Sequence, residues 1–337
     1  MNLRHHGDAD ATPGLVDLAV NVRAPAPAWL LDALTADPQR WAAYPDATAA
    51  THALAARHGV RPEQVLPTPG AAAAFALVAG LRPRRPVVVH PQFTEPESAL
   101  VDAGLPVTRH LLAPSTGFRL DPATVPDGDL VVLGNPTNPT GTLHPAADVL
   151  ALRRPGRVLV VDEAFMDCVP GETESLIGGD LTGLLIVRSL TKMWGLAGIR
   201  SGYVVGDADL VARLAVLQRP WAVSTPALDA MLACSTPDAL AEAATAAEEV
   251  AEHREFLVRQ LDAAGFPVVG DPRTPFVLVD TSPAGRADVR AGLAAAGFAV
   301  RRGDTFPGLG PAWIRIAVRD HATSRALAHA LEQLRSR

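Results

Sequence analysis

Cysteine is scarce in this chain: of 337 residues only Cys168 and Cys234 carry a thiol. The pair has neither redox nor metal-ligand spacing, so a disulfide scaffold and a cysteine-built metal centre are excluded and no metal is expected. Buried, reduced thiols in a cytoplasmic protein are the simple reading. A long apolar run is also missing. The most apolar stretch, residues 71–81, is about half of what a membrane span needs, and no signal peptide stands at the N-terminus, so no membrane is expected as a partner. Excess positive charge is absent too: the formal charge is −6, which argues against nucleic acid as a partner. There is no repeat of fixed period. What remains is 48% hydrophobic and 20% charged residues, the balance of a globular enzyme long enough for one large and one smaller domain.

Short runs rich in Val, Leu and Ile recur at 87–90, 130–133, 158–162, 184–188 and 203–205, as expected of strands buried on both faces of a mostly parallel sheet. Helices are expected over 48–58, 71–81 and from 226 to about 264. Beyond Gly265 the texture changes to strands at 276–280, 298–301 and 313–318, with helices near 286–296 and 322–334, an α+β lobe. The first forty residues, rich in proline and without periodicity, read as an arm lying against that lobe. The expected architecture is therefore α/β: an N-terminal arm (1–40) joining the small domain, a large α/β domain (41–264), and a small C-terminal α+β domain (265–337).

Chemistry is concentrated in three loops that follow predicted strands. Asn135-Pro136-Thr137-Asn138-Pro139-Thr140-Gly141 follows one, Asp162 ends the next, and Ser189-Leu190-Thr191-Lys192 follows a third, with Arg200 eight residues later. Ligands gather at such strand ends in open α/β sheets. A lysine beside hydroxyls and an arginine, downstream of a strand-terminal aspartate, meets the needs of pyridoxal 5′-phosphate. Its aldehyde requires Lys192, its ring nitrogen a carboxylate (Asp162), and its phosphate the donors of Ser189, Thr191 and Arg200. Asn138 suits the phenolic oxygen, Gly70 and Ala71 open a helix whose N–H groups suit the phosphate, and Phe93 suits the ring face.

These motifs resemble those of the fold-type I pyridoxal-phosphate enzymes of the aminotransferase superfamily, over almost the whole chain. Within it the sequence is similar to the histidinol-phosphate aminotransferase branch and, inside that branch, most to the L-threonine-O-3-phosphate decarboxylases of cobalamin biosynthesis. The segments carrying this closer likeness include His6-Gly7-Asp8, Asp17-Leu18-Ala19-Val20-Asn21, Asp162-Glu163-Ala164-Phe165 and Ile314-Arg315-Ile316. The resemblance implies Lys192 as the Schiff-base lysine and a homodimer with shared active sites, in which Tyr44 reaches the neighbouring subunit's cofactor phosphate. It also implies His6, Gly7, Asn21, Arg301 and Arg315 as holding a phosphorylated amino acid. Three features depart from the pattern: the phosphate cup is Gly70-Ala71-Ala72-Ala73-Ala74, Phe165 replaces the tyrosine of most aminotransferases, and Asp8 replaces a glycine.

The activity expected from this likeness is decarboxylation of L-threonine O-3-phosphate to (R)-1-amino-2-propanol O-2-phosphate, with transamination of histidinol phosphate as the alternative. Which reaction runs depends on which Cα bond stands perpendicular to the pyridine plane, and no sequence motif displays that torsion. Arg315 interrupts an apolar alternation at 313–318, where an inward charge requires an anionic partner. It is expected at the substrate carboxylate, with Arg301, His6 and Gly7 at the substrate phosphate. An intact Lys192 and Asp162 argue against a non-catalytic ligand sensor on the same fold.

Overall fold

The computed structural model describes residues 2–23, 25–285 and 288–335. Its strands are β1 (Val16–Leu18), β2 (Val65–Thr68), β3 (Pro86–His90), β4 (Thr108–Leu111), β5 (Leu130–Gly134), β6 (Val158–Asp162), β7 (Leu184–Ser189), β8 (Gly202–Gly206), β9 (Phe276–Asp280), β10 (Phe298–Arg302) and β11 (Trp313–Ala317). Seven form one sheet in the order β2-β8-β7-β6-β5-β3-β4, and four form a second in the order β1-β10-β11-β9. In the large sheet β8 runs antiparallel to both neighbours, and the other paired strands are parallel. This is the α/β architecture expected, with the small mixed sheet drawn from both ends of the chain.

The apolar runs are continuous because both faces of the large sheet are covered. Along β5 and β6, Val131, Leu133, Leu159 and Val161 enter one core while Leu130, Val132 and Val160 enter the other. Period-two geometry sends successive side chains to opposite faces, so a run of apolar residues serves both. The helix Ala71–Gly80 covers the second face through Ala74, Phe75 and Val78.

Three strands went unread in the sequence: β1 in the arm, and two at the edges of the large sheet. β2 holds Pro67 and lies at one edge; β4 is Thr-Arg-His-Leu at the other edge, half solvated. Edge strands tolerate proline and charge and so lack the apolar signature. The helix expected from 226 to 264 is two helices, Thr225–Ala233 and Pro237–Ala263. The Thr236 side chain accepts from the Ala239 amide and caps the second, and Pro237 occupies its first turn, where no amide hydrogen is needed. Short helices at Ala28–Thr35, Glu95–Asp102, Ala146–Leu150 and Ala208–Leu217 were also not anticipated. The helix expected near 286–296 is seen over Val289–Ala295, residues 286 and 287 lying outside the described residues.

The first forty residues are not uniform. Leu18 on β1 enters the core of the small sheet, whereas Leu30 and Leu34 of the helix Ala28–Thr35 enter the large one. The long helix Pro237–Ala263 belongs to both, with Ala243 and Ala247 in the large core and Leu257 and Leu261 in the small. Among the described residues no helix is long and apolar enough to cross a membrane.

Candidate active site

The C-terminal ends of the parallel strands open into a cavity of about 430 Å³ closed on its far side by the N-terminal arm and the small sheet. Asp162 is the last residue of β6 and Ser189 the last of β7. Asn138 and Phe93 follow β5 and β3, and all four line the cavity. The chain neighbours of Asp162 and Ser189, Glu163 just past β6 and Arg188 on β7, do not line the cavity, as alternation along an extended chain requires. Arg188 pairs with Glu163 at 3.0 Å, with Glu172 at 2.7 Å and with Asp167, and Arg57 pairs with Asp167 at 3.3 Å. This buried ion network ties β6 to β7 beneath the two site residues.

Asp162 is 8% exposed, and its Oδ1 accepts the Ala164 amide at 3.1 Å. Burial dominates and raises its pKa to about 6, against the lowering effects of that hydrogen bond and of Lys192. The Lys192 amine is pushed down to about 8, first by burial and then by the Arg315 charge. Its Nζ lies 5.7 Å from the centroid of the Phe165 ring. Arg200 has a left-handed backbone (φ 61°), and Gly70 one with φ 82°. A Cβ on Gly70 would stand 2.7 Å from Arg200 Nη2. The glycine therefore lets a guanidinium lie against the N-terminus of Ala71–Gly80, and anions favour such a place. Gly70 itself does not line the cavity; Ala71 does.

The opposite wall is the arm. Asp17 Oδ1 accepts the Ala19 and Val20 amides at 2.8 and 3.0 Å, and Arg319 Nη2 donates to the carbonyls of Asp17 at 3.0 Å and Val20 at 2.9 Å. The turn so fixed presents the Ala19 carbonyl to Arg315 Nη2. A Cβ on Gly7 would lie 2.5 Å from that same carbonyl oxygen and 3.3 Å from Arg315 Nη2, so close approach of two arm segments requires glycine there.

Arg315 is 4% exposed and also donates from Nη1 to Asn138 Oδ1 at 2.7 Å. That bond orients the Asn138 amide and leaves Nδ2 as its end available to a ligand. The guanidinium stands 5.2 Å from the centroid of the Phe276 ring, its Nε has no partner, and no described carboxylate bonds to it. Burial pushes its pKa down to about 9, with Arg301 the next cause. Asn21 is likewise buried, with Oδ1 unpartnered.

Arg301 differs. It is 2% exposed and lines the cavity, but its guanidinium already binds the protein: Asp10 Oδ2 at 2.9 Å, the His5 carbonyl at 2.6 Å and Thr305 Oγ1 at 2.7 Å. His6, also lining, bonds Glu95 Oε1 at 2.5 Å. Asp8, the departure from the family's glycine, is exposed at the rim, and the buried carboxylate paired with Arg301 is Asp10. Sequence reasoning missed Asp10 because an aspartate in a polar arm carries no signal without its partner 291 residues away.

Thirteen of the fifteen residues anticipated from sequence thus line one cavity, Thr191 included, with Gly70 reaching it through Arg200. Tyr44 does not. It is 76% exposed and stacks on Trp221 at 4.2 Å, beside a separate shallow cavity.

Residues 14–334 match the family model for aminotransferase class I and II. The chain belongs to this family. Aminotransferases of classes I and II use pyridoxal 5′-phosphate, and the cavity fits it: a buried carboxylate with no bonded cation, a buried-side amine of lowered pKa, and a helix N-terminus flanked by Arg200 and Ser189. Among the curated relatives of this family member is a histidinol-phosphate aminotransferase of Mycobacterium tuberculosis, 48% identical over 321 residues, covering 94% of this chain and 87% of that protein. A threonine-phosphate decarboxylase of Sinorhizobium is 34% identical over 319 residues, covering 90% of this chain and 88% of that one. Among solved structures, the histidinol-phosphate aminotransferase of Clostridium acetobutylicum superposes with TM-score 0.84 at 22% identity, over 95% of this chain and 98% of that one. The L-threonine-O-3-phosphate decarboxylase of Porphyromonas gingivalis gives 0.79 at 24%, over 95% and 99%. Both establish the fold. The stronger sequence likeness is to the transaminases, so the expectation that put decarboxylation first is the less supported of the two.

Proposed function

We propose that this family member is a transaminase for a small amino compound carrying one strongly anionic group, of the histidinol-phosphate class. The observation that carries the reading is the inequality of the two substrate-side arginines. Arg301 is neutralised by Asp10, whereas Arg315 is buried with no carboxylate bound to it. A buried uncompensated cation demands an anion, and a compensated one does not. Histidinol phosphate brings one anionic group. Phosphothreonine brings a phosphate and a carboxylate, for which the cavity would need both arginines. The same Arg315 would take the carboxylate of a 2-oxo acid acceptor.

The bound cofactor supplies an electron sink for the substrate Cα. In this reading Asp162 pairs with the cofactor ring nitrogen, and Asn138 Nδ2 donates to its phenolic oxygen. Ser189, Thr191, Arg200 and the Gly70–Ala71 backbone hold its phosphate, and Phe93 covers its ring. Lys192 Nζ binds the cofactor and moves the proton at Cα; a pKa near 8 leaves roughly a tenth of the amine neutral at pH 7, ready to accept it. The arm residues His6, Gly7 and Asn21 orient the substrate's polar end and exclude water. The reading includes a second copy of the chain. Tyr44, with exposed Trp41 and Trp221 beside it, would complete the phosphate site of a partner subunit; a monomer by light scattering at micromolar concentration would remove that part.

The test is direct. The holoenzyme is given L-histidinol phosphate with a 2-oxo acid, and separately L-threonine O-3-phosphate alone. Amino transfer to the oxo acid, abolished in Lys192→Ala, is expected. Carbon dioxide release from phosphothreonine at the higher kcat/KM would replace this reading with the decarboxylase.

A further inference from the structure

Outside the cavity, one cluster of ligating side chains joins two helices that are far apart in sequence. Glu252 and His253 lie on Pro237–Ala263, and His321 opens His321–Arg335. These helices pack in the small core through Leu257, Leu261, Leu327 and Leu331. We infer that Glu252, His253 and His321 form a binding site for a divalent transition metal of the zinc type, stapling the two helices on the outer face of the small lobe.

One ligand atom from each residue lies within 4.8 Å of those of the other two. His321 Nε2 is 3.0 Å from Glu252 Oε1, and His253 Nε2 is 3.6 Å from Glu252 Oε2. Ligands held by one tetrahedral ion at about 2.0–2.1 Å stand roughly 3.3 Å apart, so small rotamer shifts bring all three atoms onto one centre. The imidazoles are partly ordered beforehand. The two rings meet edge to face at 5.0 Å, and His321 stacks on Phe256 at 4.0 Å. A bare ion pair between His321 and Glu252 would give the second imidazole, directed at the same carboxylate, no role.

The donor set selects the kind of ion. Arg259 and Arg325, 5.9 and 5.4 Å from the Phe256 ring centroid, oppose every divalent cation alike, so selection falls to two imidazoles and one carboxylate. A hard ion such as Mg²⁺ or Ca²⁺, which relies on several oxygen ligands, is disfavoured there. An ion that bonds imidazole nitrogen is not. Three protein ligands leave a position for water, so the binding is weaker than at a closed four-ligand site. None of the three residues lines the active-site cavity, so the ion acts on the small lobe and not on the chemistry.

The experiment uses the holoenzyme, freed of metal with a chelator and dialysed. Zn²⁺ is titrated by calorimetry, and Co²⁺ by its visible absorption. One equivalent of Zn²⁺ is expected, with an intense tetrahedral Co²⁺ band and a rise in Tm. His321→Gln and Glu252→Gln should each weaken binding at least tenfold and abolish the Tm rise. His329→Gln, an exposed histidine on the same helix, should leave both unchanged. Having two variants on different helices keeps the test sound if one loosens its own helix. Absence of binding at 100-fold excess Zn²⁺, or binding equally strong in both variants, overturns the inference.

Discussion

Asp162 is a carboxylate buried before its cationic partner arrives, and Asp162→Asn should therefore stabilise the apoprotein while it disables the enzyme. Burial raises the folded pKa to about 6 from 3.8. An acid whose folded pKa lies above its unfolded value stabilises the fold only while protonated. That contribution is whole below pH 4 and is lost as the pH rises through 6. Above pH 7 the loss is complete, and the shift corresponds to about 3 kcal/mol. Asparagine keeps the shape and can still accept the Ala164 amide, so the variant recovers most of that energy at pH 7.5 and about half of it at pH 5. With an unfolding entropy of about 2.1 cal/mol/K per residue, 3 kcal/mol over a chain of this length raises Tm by about 4 °C. Scanning calorimetry of the two apoproteins at pH 7.5 and pH 5 measures it. The reasoning fails if Asp162→Asn melts at or below the parent at pH 7.5, or if its advantage does not shrink on acidification. Activity of the reconstituted variant should fall by orders of magnitude, because asparagine cannot hold a proton on the cofactor ring. Stability is thus given up at the functional residue.

Other consequences follow from the same contacts. Asp10→Asn strips the buried Arg301 of its counter-ion and should cost about 3–5 kcal/mol of stability by denaturant titration. It should also raise the affinity for doubly anionic phosphothreonine relative to histidinol phosphate; an unchanged preference would separate Arg301 from substrate choice. Gly7→Ala places a methyl against the Ala19 carbonyl oxygen at 2.5 Å. Carbonyl and methyl cannot share that space, so the arm must shift; KM should rise at least tenfold while cofactor affinity, read by fluorescence, stays the same. The Lys192 amine, lowered to about 8, should capture pyridoxal phosphate with a rate that rises about tenfold per pH unit below 8 and levels off above it. A midpoint near 10.5, the value of a solvated lysine, would show that burial does not tune it. Arg315→Met removes a buried cation that two neutral oxygens already solvate; substrate KM should increase by more than a hundredfold in steady-state assays, with the fold intact by circular dichroism.

The large sheet was legible because strands buried on both faces leave one kind of signal, a run of Val, Leu and Ile, and β3, β5, β6, β7 and β8 all carry it. The edge strands do not: β2 is broken in composition by Pro67 and Thr68, and β4 meets solvent along most of its length. The strand-end wall of the cavity was legible for a related reason. Each of its residues sits within a few positions of a strand end, so Asn138, Asp162, Ser189 and Lys192 announce themselves by local order along the chain. The substrate side depends on the distant pairings of the arm with the small sheet, and these have no local signature.

Residue type and local order by themselves determined the α/β frame, the gathering of the lysine, aspartate and asparagine at strand ends around one cavity, and the buried inward charge of Arg315, because each follows from what a strand or loop of that composition must do with its neighbours. Tertiary structure alone decided that Asp10 neutralises Arg301, that Asp8 lies exposed at the rim, that one long helix serves two cores, and that His321 reaches the carboxylate beside His253. Each depends on how segments distant in sequence pack together, and the free energy of such packing exists only once folding has removed the water between them.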